Sequence, residues 1–465
     1  MGLAAILAGR LGGEDRRIFV PGATTDGHYQ IEMACTACHT ASFASRDDLQ
    51  AACEGCHADA LDAARDSHPK SKFTDPRNAD RTALLDARYC VTCHAEHEPA
   101  ATHSMGLTVP EDFCVLCHAG ISDERPTHDG FEFTTCASAG CHNFHDNTAL
   151  YEDFLLKHAE APAVVPGGAI PERNFASIAR YVETYPIDAY PLAALTAADA
   201  DAPASAQLSP ASAPPRGAGA SAAAGFDAAL LEWEASAHAA NGVNCTACHA
   251  GAGAWSARPG YEACGACHAE EAAGFRQGRH GMRGNAAALG VELPPMPVAE
   301  ARLPMKAEPR DDAVDCGSCH PAHEFDTAFA AVDACLGCHD DEHSLAYPSS
   351  PHAEPGSDAR AGRVTCATCH MPRVEKSYEW GAYVHVLVQH NQSDGLRPAE
   401  KMIRSVCIEC HGLGFSIDAL ADAELTRRNF DAPPGAHVPS IDLAVERRGS
   451  AARTTLNHAR QGANE

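Results

Sequence analysis

The pentapeptide Cys-Thr-Ala-Cys-His occupies residues 35–39 and is repeated, letter for letter, at residues 245–249. Two cysteines that are separated by two residues and followed at once by a histidine form the attachment pattern of c-type haem. The two thiolates add to the two vinyl groups of one porphyrin, and the adjoining histidine becomes an axial ligand of the iron. The spacing matters because both sulfurs must reach one edge of the macrocycle while the imidazole lies under the metal. Each copy therefore predicts a covalently bound haem.

The same pattern accounts for every cysteine of the chain, which has 465 residues and 22 cysteines. Ten cysteine pairs have two intervening residues and one pair, Cys136 and Cys141, has four, but all eleven are followed directly by histidine. A zinc knuckle or a redox dithiol does not require that histidine, so the pattern excludes both alternatives. The sequence predicts eleven haem c groups and leaves no cysteine for a disulfide or a catalytic thiol. The predicted attachment sites, each with its histidine, are Cys35, Cys38 and His39; Cys53, Cys56 and His57; Cys90, Cys93 and His94; Cys114, Cys117 and His118; Cys136, Cys141 and His142; Cys245, Cys248 and His249; Cys264, Cys267 and His268; Cys316, Cys319 and His320; Cys335, Cys338 and His339; Cys366, Cys369 and His370; and Cys407, Cys410 and His411.

The number of haems sets the fold class. One haem for about 42 residues is too dense for an ordinary core of side chains. Aromatic residues make up only 6% of the chain, so porphyrins must supply most of the large apolar bodies inside. The 37 glycines and 30 prolines disfavour long uninterrupted helices. We predict a mainly α fold with much irregular structure, in which short helices wrap around a haem array with little or no sheet.

The motifs also indicate a tandem duplication. A histidine precedes the first motif of each half by seven residues, and similar spacings recur at the second to fifth motifs. Between the halves lies a stretch of Ala, Pro, Ser and Gly, which is typical of a linker. The predicted organisation is a remnant of a signal or anchor segment with a lead-in (1–27), a pentahaem module (28–190), a linker (191–225), a hexahaem module that repeats the first with one more haem (226–411) and a C-terminal tail (412–465).

Outside the motifs, two helices can be predicted from apolar spacing. One covers residues 151–158, and the other begins in the tail with Ser416 as its N-cap. Beyond the second helix we expect the tail to be extended, and to drape over the haem domain or to reach a neighbouring subunit.

The histidines outside the motifs are candidates for the second axial ligand. The chain has 27 histidines, and 27 − 11 leaves 16 for eleven irons. Paired imidazoles keep iron six-coordinate and low-spin, which favours electron transfer over substrate binding. The predicted second ligands are His28, His68, His97, His128, His145, His158, His238, His280, His323, His352, His385 and His390, whereas His103, His343, His437 and His458 are the weaker candidates.

Some of these assignments can be made more specific. A histidine three residues past a motif lies on the same turn and cannot reach its own iron, so His97, His323 and His145 should each ligate the next haem. His390 is a rival or companion of His385 and could serve the extra sixth haem of the second half. No catalytic residue is assigned.

Charge and export limit the partners. The formal charge is −27 at pH 7, and haem propionates add to it, which argues against nucleic acid as a partner. An acidic surface suits basic redox proteins or cationic carriers, and equally it could serve solubility alone. Haem is attached to such motifs outside the cytoplasm, so we expect a periplasmic or extracellular protein. The apolar run within residues 1–13 is too short to span a bilayer, and we interpret it as what remains of a signal or membrane anchor.

Two family resemblances follow from these motifs. The stretch at residues 90–97, Cys-Val-Thr-Cys-His-Ala-Glu-His, followed by the motif at 114–118, resembles the doubled module of multihaem cytochromes, and so does 316–339. In the second half, residues 233–238, 366–372 and 407–411 together with His385 or His390 are similar to the nitrite reductase and hydroxylamine oxidoreductase superfamily. That resemblance implies a largely helical fold, haems in stacked and perpendicular pairs, and distal histidines upstream of the late motifs.

Two functions remain open from the sequence. One is an electron conduit of eleven mostly or wholly bis-histidine haems between redox partner proteins or an extracellular acceptor, with self-assembly into a polymer as an extension. The other is an oxidoreductase that acts on nitrite, hydroxylamine or sulfite at one five-coordinate haem. The abundance of candidate second ligands favours the conduit. Electron storage without directional transfer is a third interpretation.

Overall fold

The computed structural model describes residues 17–125, 128–130, 132–136, 144–146, 150–171, 228–240, 243, 245–249, 256–285, 289–308, 313–354, 364–377, 384–394 and 401–449. The predicted N-terminal remnant, the linker at 191–225, Cys141, His142 and His458 lie outside the described residues. The division into two modules therefore stays a prediction from the sequence.

Short helices dominate the first half. Its α-helices are Cys35–Cys38, Arg46–Ala63, Lys70–Thr74, Ala79–Leu84, Val115–His118, Ile121–Glu124 and Glu152–Lys157. Its 3₁₀ turns are Arg17–Phe19, Tyr29–Ile31, Pro76–Asn78, Cys90–Thr92, Ser104–Gly106 and Phe133–Thr135. The predicted helix at 151–158 is confirmed, and its Leu155 is buried.

The second half has the same character. Its α-helices are Ala237–Ala240, Cys245–His249, Tyr261–Gly265, Ala269–Gln277, Cys316–Cys319, Thr327–Ala331, Asp333–Cys338, Glu342–Ala346, Cys366–His370, Lys401–Ser405, Leu413–Ala421 and Ala423–Arg427. Its 3₁₀ turns are Met282–Gly284, Val298–Glu300, Tyr347–Ser349, Pro351–Ala353 and Cys407–Glu409. Residues 228–234 and 440–449 are also helical.

Within the described residues the sheet consists of two antiparallel strands, β1 (Arg373–Ser377) and β2 (Val384–Val388), with Glu375 opposite Val386. The mainly α fold with little sheet and much irregular structure is thus confirmed.

Side-chain caps explain where several of these helices begin. Ser45 accepts a hydrogen bond from the amide of Asp48 and so caps the longest helix, Arg46–Ala63. Asp315 and Thr365 cap the motif helices that begin at Cys316 and Cys366. Each accepts a hydrogen bond from the amide three residues on, and the side chain of that residue accepts one from the amide of the cap. Each cap satisfies amides that a helix of a few residues would otherwise leave unpaired.

The apolar core of the described residues is small. Twenty apolar side chains are buried there, and the cluster that packs together contains Leu150, Leu155, Ile403, Leu413 and Ile417. This cluster joins the end of the first half to the C-terminal region, and most of the other described residues lie outside it. Most of the described chain therefore surrounds the motifs rather than a core of its own.

The tail differs from the sequence prediction. Its first helix begins at Leu413, and Ser416 lies inside it with its hydroxyl donating to the Gly412 carbonyl (3.0 Å), so Ser416 is not the N-cap. Asp422 caps the following helix instead. The described part of the tail is also not extended, because residues 440–449 are helical and Ala444 packs in the core cluster. Ile417 and Leu420 of the first tail helix pack in the same cluster as Leu150 and Leu155, a contact that depends on tertiary packing.

Both ends of the first half touch the second half. The Arg283 guanidinium donates to the carbonyl of Gln30 at 2.7 Å. At the other end, His411 donates from Nδ1 to the Ala163 carbonyl at 3.0 Å, and Arg373 donates to the Pro171 carbonyl at 2.7 Å. The last motif of the second half is therefore held partly by a segment of the first.

Candidate haem-binding sites

The motifs that the structure describes in full have helical backbone; most form a single short turn, and Cys53–His57 lies within the long helix Arg46–Ala63. In seven of these motifs the amide of the histidine donates to the carbonyl of the first cysteine at 2.8–3.0 Å, as His39 does to Cys35. This bond closes the turn over four residues. Both sulfurs and the imidazole are thereby held on one short piece of backbone, which is what attachment to a single porphyrin requires.

The imidazoles of the motifs face other imidazoles. In nine pairs, a motif histidine and a histidine from outside the motifs have ring centroids 5.9–6.4 Å apart. The motif histidine is given first in each pair: His57 and His28 (5.9 Å), His94 and His145 (6.4 Å), His118 and His68 (6.0 Å), His249 and His323 (6.0 Å), His268 and His238 (6.1 Å), His320 and His390 (6.4 Å), His339 and His280 (6.2 Å), His370 and His343 (6.0 Å), and His411 and His352 (6.1 Å).

This separation fits a metal ion between the two rings. At metal–nitrogen distances of about 2.0–2.1 Å, two imidazoles on opposite sides of one ion have their centroids roughly 6 Å apart. Rings that stack directly on each other lie closer, as His68 and Phe144 do at 4.1 Å. The residues present therefore fit haem iron with two axial histidines.

Hydrogen bonds to Nδ1 orient many of these rings. When Nδ1–H donates to a backbone carbonyl, Nε2 is left as the nitrogen that can bind a metal. Such bonds are made by His68 to Phe144 (2.7 Å), His94 to Gly106 (3.1 Å), His97 to Gly22 (2.8 Å), His249 to Ser256 (2.6 Å), His343 to Thr426 (2.6 Å), His390 to Val388 (2.9 Å) and His411 to Ala163 (3.0 Å).

Burial keeps the candidate ligands neutral. It lowers the pKa of His280 to about 4, an effect to which the nearby His339 and His370 add. Burial is also the main reason why the pKa values of His238, His352 and several other paired histidines fall below the ordinary value. Neutral imidazole is the form that binds iron, so these rings can act as ligands at neutral pH.

His28 has a different partner on Nδ1, the carboxylate of Glu96, at 2.6 Å. Glu96 also accepts hydrogen bonds from the amide (2.6 Å) and the hydroxyl (2.8 Å) of Thr25. Burial alone would raise the pKa of Glu96, but the hydrogen bonds from His28 and Thr25 outweigh it and bring the pKa to about 2. Glu96 is therefore a carboxylate at neutral pH.

Two of the three histidines that lie three residues past a motif, His323 and His145, do not face the histidine of the next motif, whereas the assignment of His97 stays a prediction. His323 lies against His249, the first motif of its half, and His145 lies against His94, two motifs back. The prediction was wrong because it assumed that the chain continues forward after the motif. At His323 the backbone is left-handed, with φ of 69°, and His97 has φ of 67°, so both segments bend sharply after the motif.

The ring pairs also show which motif histidines His390, His352 and His343 of the second half face. His390 faces His320, so the expectation that it serves the sixth motif was wrong, and His352 faces His411 there instead. His343, a weak candidate from sequence, faces His370. His343 lies on the short helix Glu342–Ala346, directly after the fourth motif of its half. This position could have identified it as a stronger candidate ligand from the sequence.

The Nε2 atom of His343 has a second neighbour. The Asn429 amide lies 3.3 Å from it, a contact that a metal at this nitrogen would displace.

Some candidates have no partner ring among the described residues. This holds for His39 and His97, and His158 contacts Phe154 at 4.5 Å rather than a motif histidine. The side chain of His385 lies outside the described residues. His103 lines an open cavity of about 520 Å³ with Glu111 and Thr134, and exposed His437 bonds to Asp418 (3.0 Å) and Asp442 (2.8 Å). His128 stays a candidate axial ligand predicted from the sequence.

The cysteines show how neighbouring motifs are arranged. Thiols of the first cysteines are within hydrogen-bonding reach between the second and third motifs of each half and between the fourth and fifth. These pairs are Cys53 and Cys90, Cys114 and Cys136, Cys264 and Cys316, and Cys335 and Cys366. Burial is the main reason why the pKa values of the second cysteines Cys38, Cys248, Cys319 and Cys369 are raised. The charge of the second cysteine of an adjacent motif, which is Cys56, Cys267, Cys338 and Cys410 respectively, adds to this shift.

First cysteines of neighbouring motifs are thus close together at the same places in both halves, between the second and third motifs and between the fourth and fifth. Repeated haem-attachment turns, facing imidazoles and this repeat define a multihaem c-type cytochrome with repeated modules, which binds haem c covalently and transfers electrons. Comparison with known families agrees, because residues 27–119 and 308–382 match the model of the cytochrome c3 family. No curated protein and no solved structure matches the chain. The resemblance of the second half to the nitrite reductase and hydroxylamine oxidoreductase superfamily stays a prediction.

Proposed function

We propose that the chain is a linear electron conduit of eleven haems, each with two axial histidines. The observation that carries this proposal is the set of nine facing imidazole pairs at 5.9–6.4 Å. Iron held by two imidazoles has no open coordination position, so it exchanges electrons but does not bind a substrate. The chemistry that haem supplies here is one-electron reduction and oxidation.

For the two remaining irons, the duplication suggests the second ligands. His97 is the counterpart of His323, and both have left-handed backbones. Since His323 faces His249, we assign His97 to His39, the counterpart of His249. The iron bound by His142 would take His128 or His158.

The proximity of first cysteines in consecutive motifs supports an array that follows chain order. In both halves these cysteines are close between motifs two and three and between motifs four and five. In such an array each haem has one neighbour on either side. Electrons then move from motif to motif along the sequence, and the contact of segment 163–171 with His411 and Arg373 brings the two halves together.

One observation keeps the enzyme as a second candidate. His39 is exposed and has no partner ring among the described residues, so a five-coordinate haem for nitrite, hydroxylamine or sulfite would be the first one. His97 is the residue that decides between these functions at that iron.

Paramagnetic resonance of the oxidised holoprotein tests the proposal. We expect low-spin signals alone, unchanged by nitrite, hydroxylamine or sulfite, and an intact mass with eleven covalent haems. A stoichiometric high-spin signal that responds to one of these compounds would support the enzyme instead. Fewer than eleven haems would first call into question the site with four intervening residues, Cys136 and Cys141.

We also infer that the protein works outside the cytoplasm with redox proteins or an extracellular acceptor. In the part of the chain that the structure describes, no helix is long and apolar enough to cross a membrane. Self-assembly through the tail has less support than the sequence suggested, because residues 413–444 pack against the same chain. Size measurement of the holoprotein over a range of concentrations tests this point.

A further inference from the structure

The two halves differ at one pair of equivalent haem ligands. His28 and His238 each precede the first motif of their half by seven residues, and each faces the histidine of the second motif, His57 or His268. The ring nitrogen that points away from the partner ring, however, has a different environment in the two halves.

In the first half, Nδ1 of His28 is 2.6 Å from the carboxylate of Glu96. In the second half, Nδ1 of His238 is buried and has no hydrogen-bond partner among the described residues. The sequence explains the difference. Glu96 stands two residues after His94, and the residue two after the equivalent His320 is Ala322.

The physical consequence concerns the iron that His28 would bind. A carboxylate that accepts a hydrogen bond from Nδ1–H makes the imidazole a stronger electron donor and places a negative charge near the metal. Both effects stabilise ferric over ferrous iron. His238 lacks this contact, and its ring edge packs against Phe325 at a centroid distance of 4.4 Å.

We propose that Glu96 is a positioning residue that makes the second haem of the first half harder to reduce than its counterpart in the second half. This inference rests on the proposed function, since it requires His28 to be an axial ligand. Two sites that the duplication made alike thereby acquire different potentials. At equilibrium an electron shared between these two haems would then lie mainly on the one in the second half.

The test is a redox titration of the holoprotein followed by absorbance and paramagnetic resonance. E96Q keeps the shape of the side chain, removes its charge and leaves one acceptor oxygen where the carboxylate offers two to Thr25 and His28. We expect one haem in E96Q to be easier to reduce, with its reduction equilibrium constant raised about tenfold, or 59 mV for one electron. The low-spin signal of that haem should shift as well, because its ligand field changes. A role in folding alone would move neither quantity.

Two further variants make the result decisive. E98Q removes a charge from an exposed neighbour that has no contact with His28, and we expect its titration to match the wild type. H28A should convert one haem to high spin and so identify the component that E96Q shifts.

Each contrary outcome has a distinct meaning. If H28A gives a high-spin haem but E96Q titrates like the wild type, Glu96 does not set the potential and the inference is wrong, while the ligand assignment holds. Equal shifts in E96Q and E98Q would refute it too, since a general charge effect would then suffice. If H28A stays low-spin, the proposed ligand itself is wrong.

Discussion

His343 is a weak candidate for an axial ligand from the sequence, but its ring pair with His370 makes it a strong one, and its replacement tests this assignment. Its ring centroid is 6.0 Å from that of His370, and its Nδ1 donates to the Thr426 carbonyl at 2.6 Å. H343A removes the imidazole and leaves a space that alanine cannot fill. The iron held by His370 should therefore lose its sixth ligand and become high-spin.

The size of the effect follows from the geometry. One haem of the array should change, with the others unaltered, because within the described residues His343 faces a single motif histidine. The Thr426 carbonyl also loses its donor, which costs about 1 kcal/mol in unfolding free energy, apart from the loss of the iron bond. Paramagnetic resonance should show one high-spin component, and an added ligand such as imidazole should restore the low-spin signal.

The matched control is H437A. His437 is another histidine that ranks low by sequence, but it is exposed and held by Asp418 and Asp442. We expect no high-spin haem in this variant. The reasoning fails if H343A and H437A give the same low-spin spectrum, since the ring pair would then not mark a ligand.

Three other perturbations test the fold around the sites. G22A would place a methyl group against the backbone carbonyl of His97. We therefore expect a loss of about 1–3 kcal/mol in unfolding free energy and a weaker sixth ligand at the first haem. The control G120A, where the space around the glycine is open, should change neither quantity. L413A removes a fully buried side chain from the core cluster, and denaturant unfolding should show a loss of about 2–5 kcal/mol. Hydrogen bonds to Asp418 and Asp442 raise the pKa of His437. The stability that protonated His437 contributes should therefore be fully present below the unfolded pKa of about 6.5 and be lost as pH rises through the higher folded pKa. The thermal unfolding curves of H437A and wild type should accordingly converge at high pH.

The haem attachment sites could be predicted from sequence because their chemistry is local. Two sulfurs and one imidazole must reach the same porphyrin from a single turn. The two cysteines and the histidine therefore lie within five consecutive residues, as at 35–39. The fold class followed from the same count, because the eleven predicted haems would leave little room for a core of side chains. These arguments needed no knowledge of the path of the chain.

The sequence gives candidates for the second ligands, but it does not give the motif histidine that each one faces. His28 and His238 were found by their spacing, but the partner of His323 depends on a left-handed turn that no periodicity reveals. His343 and His390 show the same limit, since the haem that each one reaches depends on how distant segments pack. Tertiary geometry, not residue type, decides these pairs.

Each ring pair also joins segments that are far apart in the chain. The separation ranges from 27 residues between His343 and His370 to 74 between His249 and His323. An iron bound at both ends closes such a loop, and metal binding of this kind contributes directly to folding. Because the described residues bury few apolar side chains, these closures have to supply much of the stability. Attachment of haem should therefore precede folding: the turn around a motif such as 35–39 can form alone, but its second ligand arrives only when the later segment has been made.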